Sequence, residues 1–166
     1  MKYTSAEAAK LLRQLNDDYN AAYLIEQESC TFVAATNEDI ESVRPKYDFG
    51  ESQTKLTEIN EKIRKIKHAI NVFNTTHTVP GFDMTIDEML VYIPQLNQRK
   101  RALLTMRNRL PKHRTTSCGA GIIDYCYTNY DIHDAEAEYI KVSDKLAAAQ
   151  LALDAINSTE TMEIDI

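Results

Sequence analysis

The sequence predicts a mainly α protein with four long helices, packed as an antiparallel coiled-coil or helical bundle, and a small antiparallel β-sheet of about three short strands at one end. Apolar residues recur at alternating steps of three and four over long stretches, which places them on one helix face. Only four Gly and four Pro occur in 166 residues, so few turns interrupt the elements. A content of 43% hydrophobic and 27% charged residues fits a single helical-bundle domain, residues 1–166.

The first helix is predicted over residues 5–28. Thr4, with Glu7 three residues later, forms a capping box that satisfies free backbone N–H groups at a helix start. A β-prone run at residues 30–35 then predicts a short strand. Residues 40–50 are expected to form a connector, either an aromatic latch over the bundle end or a segment that docks a partner.

The second and third helices are predicted over residues 52–74 and 85–110. The earlier of the two has a regular apolar seam at Leu56, Ile59, Ile63, Ile66, Ile70 and Phe73. Thr85 and Glu88 form a second capping box at the start of the later one. Pro94 is expected to kink or restart that helix, because proline lacks the N–H and clashes with the preceding turn.

The C-terminal part has the clearest pattern of the chain. Strands are predicted at residues 122–128 and 161–166, where side chains alternate, and a helix is predicted over 132–157 with Asp131 as its cap. The apolar seam of this helix repeats without a slip at Ile132, Ala135, Tyr139, Val142, Leu146, Ala149, Leu153 and Ile156. The edges of the small sheet need covering, so a second copy of the chain is expected to share it.

The region between Glu88 and Asp124 has no acidic residue and seven basic ones, in a chain of net charge −6. We call these seven residues the basic stretch: Arg99, Lys100, Arg101, Arg107, Arg109, Lys112 and Arg114. A local excess of positive charge can bind an acidic protein or nucleic-acid phosphates. The alternative, which the acidic balance of the whole chain favours, is that it faces acidic residues of a neighbouring helix or subunit, such as Glu136, Glu138 and Asp144.

No catalytic site, cofactor or metal is predicted. Carboxylate-bridged metal sites in helical bundles need Glu-x-x-His pairs, and the sequence has none. His68, His77 and His113 have no spacing that unites them. Three Cys without a CxxC motif indicate buried or half-buried thiols rather than disulfides or a zinc knuckle. A small enzyme site near the sheet end that uses Cys118, Asp124 or tyrosines is left open, although no base that would activate the thiol is identified.

Two runs in the middle of the chain carry a resemblance to a known family. Residues 66–76 read Ile-Lys-His-Ala-Ile-Asn-Val-Phe-Asn-Thr-Thr, and residues 84–90 read Met-Thr-Ile-Asp-Glu-Met-Leu, followed by Arg99. They resemble, within about residues 56–110, a small bacterial helical family of unknown function labelled septicolysin-like. In that family an Ile-Asn-x-x-Asn-x-Thr helix end precedes a turn and a Thr-Leu-x-Glu-Ala-Leu-like helix start. The resemblance implies a bundle that can form oligomers, and no established activity.

The leading functional hypothesis is a non-enzymatic structural or interaction scaffold of unknown specific role that self-associates. The second is an adaptor that binds an anionic partner or nucleic acid through the basic stretch, and the third is the small enzyme. No apolar run is long enough for a membrane span or the core of a signal peptide. We therefore expect a cytoplasmic protein that does not bind a membrane. Its main partner is expected to be a second copy of the same chain.

Overall fold

The computed structural model describes residues 1–115 and 124–166. Over these residues the elements are β1 (Lys2–Thr4), α1 (Ser5–Ser29), α2 (Ile40–Val43), α3 (Phe49–Thr76), α4 (Ile86–Arg107), β2 (Lys112–Thr115), β3 (Asp124–Tyr127), α5 (Ile132–Thr159) and β4 (Thr161–Glu163). The prediction of a mainly α fold with four long helices and a small antiparallel β component is confirmed.

Contacts along the chain divide it into two compact units. Unit 1 consists of Met1–Asn74 with Asn157–Ile166, and unit 2 of Thr75–Ile156. Each unit buries its own set of apolar side chains. The single domain over residues 1–166 stays a prediction, and the two units are described separately.

In unit 1, α1 begins at the predicted capping box. The Thr4 backbone N–H donates to the Glu7 carboxylate over 2.9 Å, and the Glu7 N–H donates to Thr4 Oγ1 over 3.2 Å. Near the end of α1, Glu26 accepts hydrogen bonds from Tyr47 (3.4 Å) and from Gln53, close to the start of α3. The two helices therefore run antiparallel. Their shared core contains Ala22, Leu56, Ile59 and Ile63, with Leu12, Leu15 and Tyr19 packed against it.

Unit 1 also contains the sheet that joins the two ends of the chain. β1 pairs antiparallel with β4, with Lys2 opposite Glu163. The Met1 ammonium donates to the Ile164 carbonyl and the Ile164 N–H donates to the Met1 carbonyl, each over 2.9 Å. Met162 and Ile164 are buried. The predicted strand at residues 161–166 therefore exists, shortened to three residues by the length of its partner.

In unit 2, α4 starts at the second predicted capping box. The Thr85 N–H donates to the Glu88 carboxylate over 2.7 Å, and the Glu88 N–H donates to Thr85 Oγ1 over 3.3 Å. The helix continues through Pro94 without a restart. Pro94 and Leu90, four residues earlier, are both exposed, so water can hydrate the carbonyl that the proline leaves without a donor.

Helices α4 and α5 run antiparallel in unit 2. Arg107, at the end of α4, lies over Tyr139 near the start of α5, while Tyr92, near the start of α4, lies under Lys145 in the middle of α5. The predicted seam of α5 is buried between Ala135 and Ile156, apart from half-buried Tyr139. The unit 2 core contains Val79, Ile86, Met89, Leu96, Leu103, Ala135, Val142, Leu146, Ala149, Leu153 and Ile156.

The β prediction needs two corrections. Residues 30–35 form no strand: Cys30 is the exposed cap of α1, and Val33 is 94% exposed. The physical reason is that a β-prone run gains its stability largely from a pairing strand, and no strand of the described residues pairs with this run. In place of one sheet of about three strands, the described residues form two separate pairs, β1 with β4 and β2 with β3. β1 and β2 were not predicted.

Candidate anion-binding site

The basic stretch lies wholly in unit 2, on a helix, a turn and a strand. Arg99, Lys100, Arg101 and Arg107 belong to the second half of α4, Arg109 to the following turn, and Lys112 and Arg114 to β2. Lys100 and Arg107 are half-buried. The other five side chains are exposed.

Lys100 and Arg107 converge on one aromatic ring. The Lys100 Nζ lies 5.7 Å and the Arg107 guanidinium carbon 4.4 Å from the ring centroid of Tyr139 on α5. The two cations meet there because positions seven residues apart share one face of a helix. Arg101, one position beyond Lys100, is about 100° further around α4. The helical part of the basic stretch therefore does not form one single cluster.

The hairpin of β2 and β3 gathers two further cations with two tyrosines. Lys112 is paired with Tyr127 and Arg114 with Tyr125, and residues paired across two strands share one face of the sheet. We call Lys112, Arg114, Tyr125 and Tyr127 the hairpin face. The Lys112 Nζ lies 4.1 Å from the ring centroid of Tyr125 and 5.2 Å from that of Tyr127.

One hydrogen bond attaches the segment after β3 to the end of α4, and two more close the base of the hairpin and the turn after α4. The Tyr130 hydroxyl donates to the Met106 carbonyl over 2.8 Å. The Thr128 N–H donates to the Pro111 carbonyl over 3.1 Å, and the Arg109 N–H donates to the Met106 carbonyl over 3.2 Å. The base of the hairpin is therefore fixed next to the helix that carries the other basic residues.

The basic stretch has no acidic partner among the described residues. The ion pairs among the described residues lie outside the basic stretch and join Arg44 to Glu41, Lys65 to Glu61 and Lys141 to Glu138. Of the acidic residues that the sequence alternative names on the neighbouring helix, Glu136 and Asp144 form no ion pair with the basic stretch in the described structure, and Glu138 is paired with Lys141 over 3.7 Å; the alternative of a neighbouring subunit stays a prediction. Residues 116–123, which the structure does not describe, contain no Asp or Glu in the sequence. Within the described ranges, none of the seven cations therefore forms an ion pair with an Asp or Glu side chain.

Sequence reasoning missed the tyrosines that accompany the cations. The sequence places Tyr139 in the packing seam of α5, and Tyr125 and Tyr127 in a strand near the possible enzyme site, but it does not indicate that they contact the cations. A signal for the hairpin face does exist in the sequence: cations two residues apart precede a glycine-containing turn, and tyrosines two residues apart follow it. This spacing is what an antiparallel pair needs to place all four side chains on one face.

The residues considered for an enzyme site do not form a catalytic group in the described structure. Cys118 lies outside the described residues, and Asp124 is exposed opposite Thr115. The Asp131 carboxylate accepts the His133 N–H over 2.8 Å, which is its predicted role as a cap. Within the described ranges no group of three or more His, Cys, Asp or Glu side chains is placed to hold a metal ion.

The 40–50 connector contributes to a small pocket in unit 1. This pocket of about 190 Å³ is lined by residues of α1, α3 and the connector, including Ala22, Tyr47 and Lys55. Tyr47 is half-buried, its hydroxyl donates to Glu26, and burial raises its pKa. The tyrosine thus takes the position expected of an aromatic latch, whereas Phe49 is 68% exposed.

Comparisons with known proteins bear on the fold alone. No family model matches the chain, and no curated protein matches it. The chain is similar to the crystal structure of a functionally unknown conserved protein from Corynebacterium diphtheriae, with a TM-score of 0.61 and 13% identity over 98% of this chain and 100% of that one. The resemblance to the septicolysin-like family stays a prediction. No helix in the described ranges combines the length and apolarity that crossing a membrane requires.

Proposed function

We propose that this chain is a non-enzymatic binding protein that holds an anionic partner on the basic stretch of unit 2. One observation carries the proposal: seven cations without an acidic partner in the chain, five of them exposed. Like charges that are concentrated on one part of a folded protein repel one another, and a group of opposite charge compensates for that repulsion. An external polyanion supplies that compensation.

The tyrosines beneath the cations support the same function. A cation over a tyrosine ring at an exposed site gains only about 0.5–1 kcal/mol. Such a contact orients Lys100, Arg107 and Lys112 without neutralising their charge. The positive charge therefore stays available to a partner.

Charge reversal tests the proposal. The variant Arg99→Glu with Arg109→Glu changes two exposed residues of the basic stretch and leaves the hairpin face unchanged. We expect the wild-type chain to bind immobilised heparin at low salt, and the variant to bind it much more weakly. The slope of log affinity against log salt is expected to fall by about 1.5 for two lost anion contacts, since each contributes about 0.7–0.9 on nucleic-acid phosphates.

The matched control is Arg64→Glu with Lys67→Glu on α3. Both residues are exposed and lie in unit 1, so this variant has the same net charge as the first one. Heparin binding of the control should match the wild type. Equal loss in both variants would mean that only net charge matters, and the proposal would then be wrong.

A second candidate function is self-association through the exposed face of α5. Ile140 and Leu151 on this helix are 51% and 71% exposed, and Ala147 between them is exposed as well. A groove of about 710 Å³ in unit 2 is lined by Ile93, Ala147 and Leu151, among others. Positions 140, 147 and 151 lie on one face of α5, with the exposed Asp144 between the first two. We propose that the same face of a second copy packs against it.

A further inference from the structure

The hairpin face alternates positive charge with exposed aromatic rings. Tyr125 and Tyr127 are 48% and 62% exposed, and Lys112 and Arg114 are exposed as well. Neighbouring residues on one face of a strand are separated by about 6.8 Å, two steps of about 3.4 Å. The face therefore offers two successive rings, each with a cation in the paired position on the other strand.

The Lys112 ammonium group lies where a planar ligand group would stack, so such a ligand would have to displace it. Its ammonium group lies over both rings, 4.1 and 5.2 Å from their centroids. A lysine side chain is flexible and holds a point charge, so a phosphate oxygen can draw the ammonium group away. The ring face that it leaves is then open to a flat group.

Two chemical requirements together define the ligand. The cations need an anion, and the open ring faces need planar groups at regular intervals. Single-stranded nucleic acid meets both, since its phosphates bind Lys and Arg while its bases stack on aromatic rings. A polysulfate or polyphosphate has no planar groups, and a duplex keeps its bases stacked on one another.

We propose that the hairpin face binds single-stranded nucleic acid, with bases stacked on Tyr125 and Tyr127 and phosphates held by Lys112 and Arg114. This inference rests on the proposed function and names the class of partner. An anionic membrane surface fits less well. Membrane-binding faces present large apolar side chains beside the basic ones, whereas the described hairpin strands contain no Leu, Ile, Phe or Trp.

The test compares ligands that share negative charge and differ in exposed bases. A labelled single-stranded oligonucleotide of about ten nucleotides, the same sequence as a duplex, heparin and anionic lipid vesicles are titrated against the full chain. The chain contains nine Tyr and no Trp, so its emission comes from tyrosine, and the quenching that is lost in a variant without the rings of Tyr125 and Tyr127 reports stacking on these two. We expect the single strand to bind most tightly and to quench this emission.

Two double variants separate stacking from charge. Tyr125→Val with Tyr127→Val keeps β-branched strand formers and removes the rings, whereas Tyr125→Phe with Tyr127→Phe keeps the rings. The valine variant should lose roughly tenfold or more in single-strand affinity and none in heparin affinity. The phenylalanine variant should bind as the wild type does. Tyr23→Val, at a 47% exposed tyrosine of unit 1, controls for the loss of an exposed ring elsewhere.

Each outcome decides between the inference and the proposed function. If heparin, duplex or vesicles bind as tightly as the single strand, the inference fails and the anion-binding function stands. If the phenylalanine variant loses as much affinity as the valine variant, or the valine variant loses heparin binding equally, stacking is not the cause and the inference fails. If the wild-type chain binds neither heparin nor the single strand, both proposals fail.

Discussion

Two adjacent leucines on α4 differ sharply in burial. Leu103 is 2% exposed and Leu104 is 40% exposed. Truncating a fully buried leucine removes its transfer free energy and leaves a cavity, so Leu103→Ala is expected to lower the free energy of unfolding by about 2–5 kcal/mol. Leu104→Ala should lower it by less than half as much. Urea denaturation of both variants measures the difference, and equal losses would show that the apolar seam does not lie where α4 places it.

Lys100 takes a position in α4 where the apolar seam needs an apolar residue. Periodicity alone predicts that the stripe shifts there towards Leu103 and Leu104. Of these two, only Leu103 is buried. Lys100 itself is half-buried over Tyr139. Such a contact depends on where another helix places its side chains, which local periodicity does not contain.

Helix starts are the elements that the sequence predicted best, because a capping box involves only four consecutive residues. In both boxes the threonine N–H and hydroxyl donate to a glutamate. The hydrogen bonds from Thr4 lower the pKa of Glu7, and those from Thr85 lower the pKa of Glu88, from the ordinary value of 4.5. A carboxyl group with a lower pKa in the folded chain stabilises the fold above its ordinary pKa. This contribution is lost as the pH falls through the lowered value.

The pH dependence of stability tests these two helix starts. In the variant Glu7→Gln with Glu88→Gln, the uncharged amide can still accept the capping hydrogen bond but cannot titrate. When the pH falls from neutral to below the lowered pKa values of Glu7 and Glu88, we expect the free energy of unfolding to decrease less in the variant than in the wild type. Wild-type behaviour of the capping-box variant would contradict the assigned pKa shifts.

Strands were predicted less well than helices because their stability depends on a partner. The run at residues 30–35 has the right composition and lacks a neighbouring strand, so it remains irregular. β2 has a charged and polar sequence, Lys-His-Arg-Thr, and forms because β3 pairs with it through four residues. The candidate site follows the same division. The sequence alone identifies its cations. That Tyr125 and Tyr127 share a face with Lys112 and Arg114 follows only from the register of β2 and β3.

On the scale of the whole molecule, charge is unevenly distributed along the chain. The net charge is −6, yet no acidic residue occurs between Glu88 and Asp124. At physiological ionic strength, charges further apart than about 8 Å are largely screened. The affinity of the basic stretch for a polyanion therefore depends on the local cations more than on the net charge of the chain.

The exposed face of α5 gives the last prediction, which concerns assembly. If two copies associate through this face, the mass in solution exceeds the 18.9 kDa of one chain and rises with concentration. Leu151→Glu places a charge on the most exposed leucine of α5, and burying two such charges in a symmetric contact is unfavourable. We expect sedimentation of this variant at the mass of one chain. Leu24→Glu, at a 56% exposed leucine of α1, should leave the assembly unchanged. A wild-type chain that sediments as a monomer at every concentration would instead mean that the exposed stripe of α5 binds no second copy.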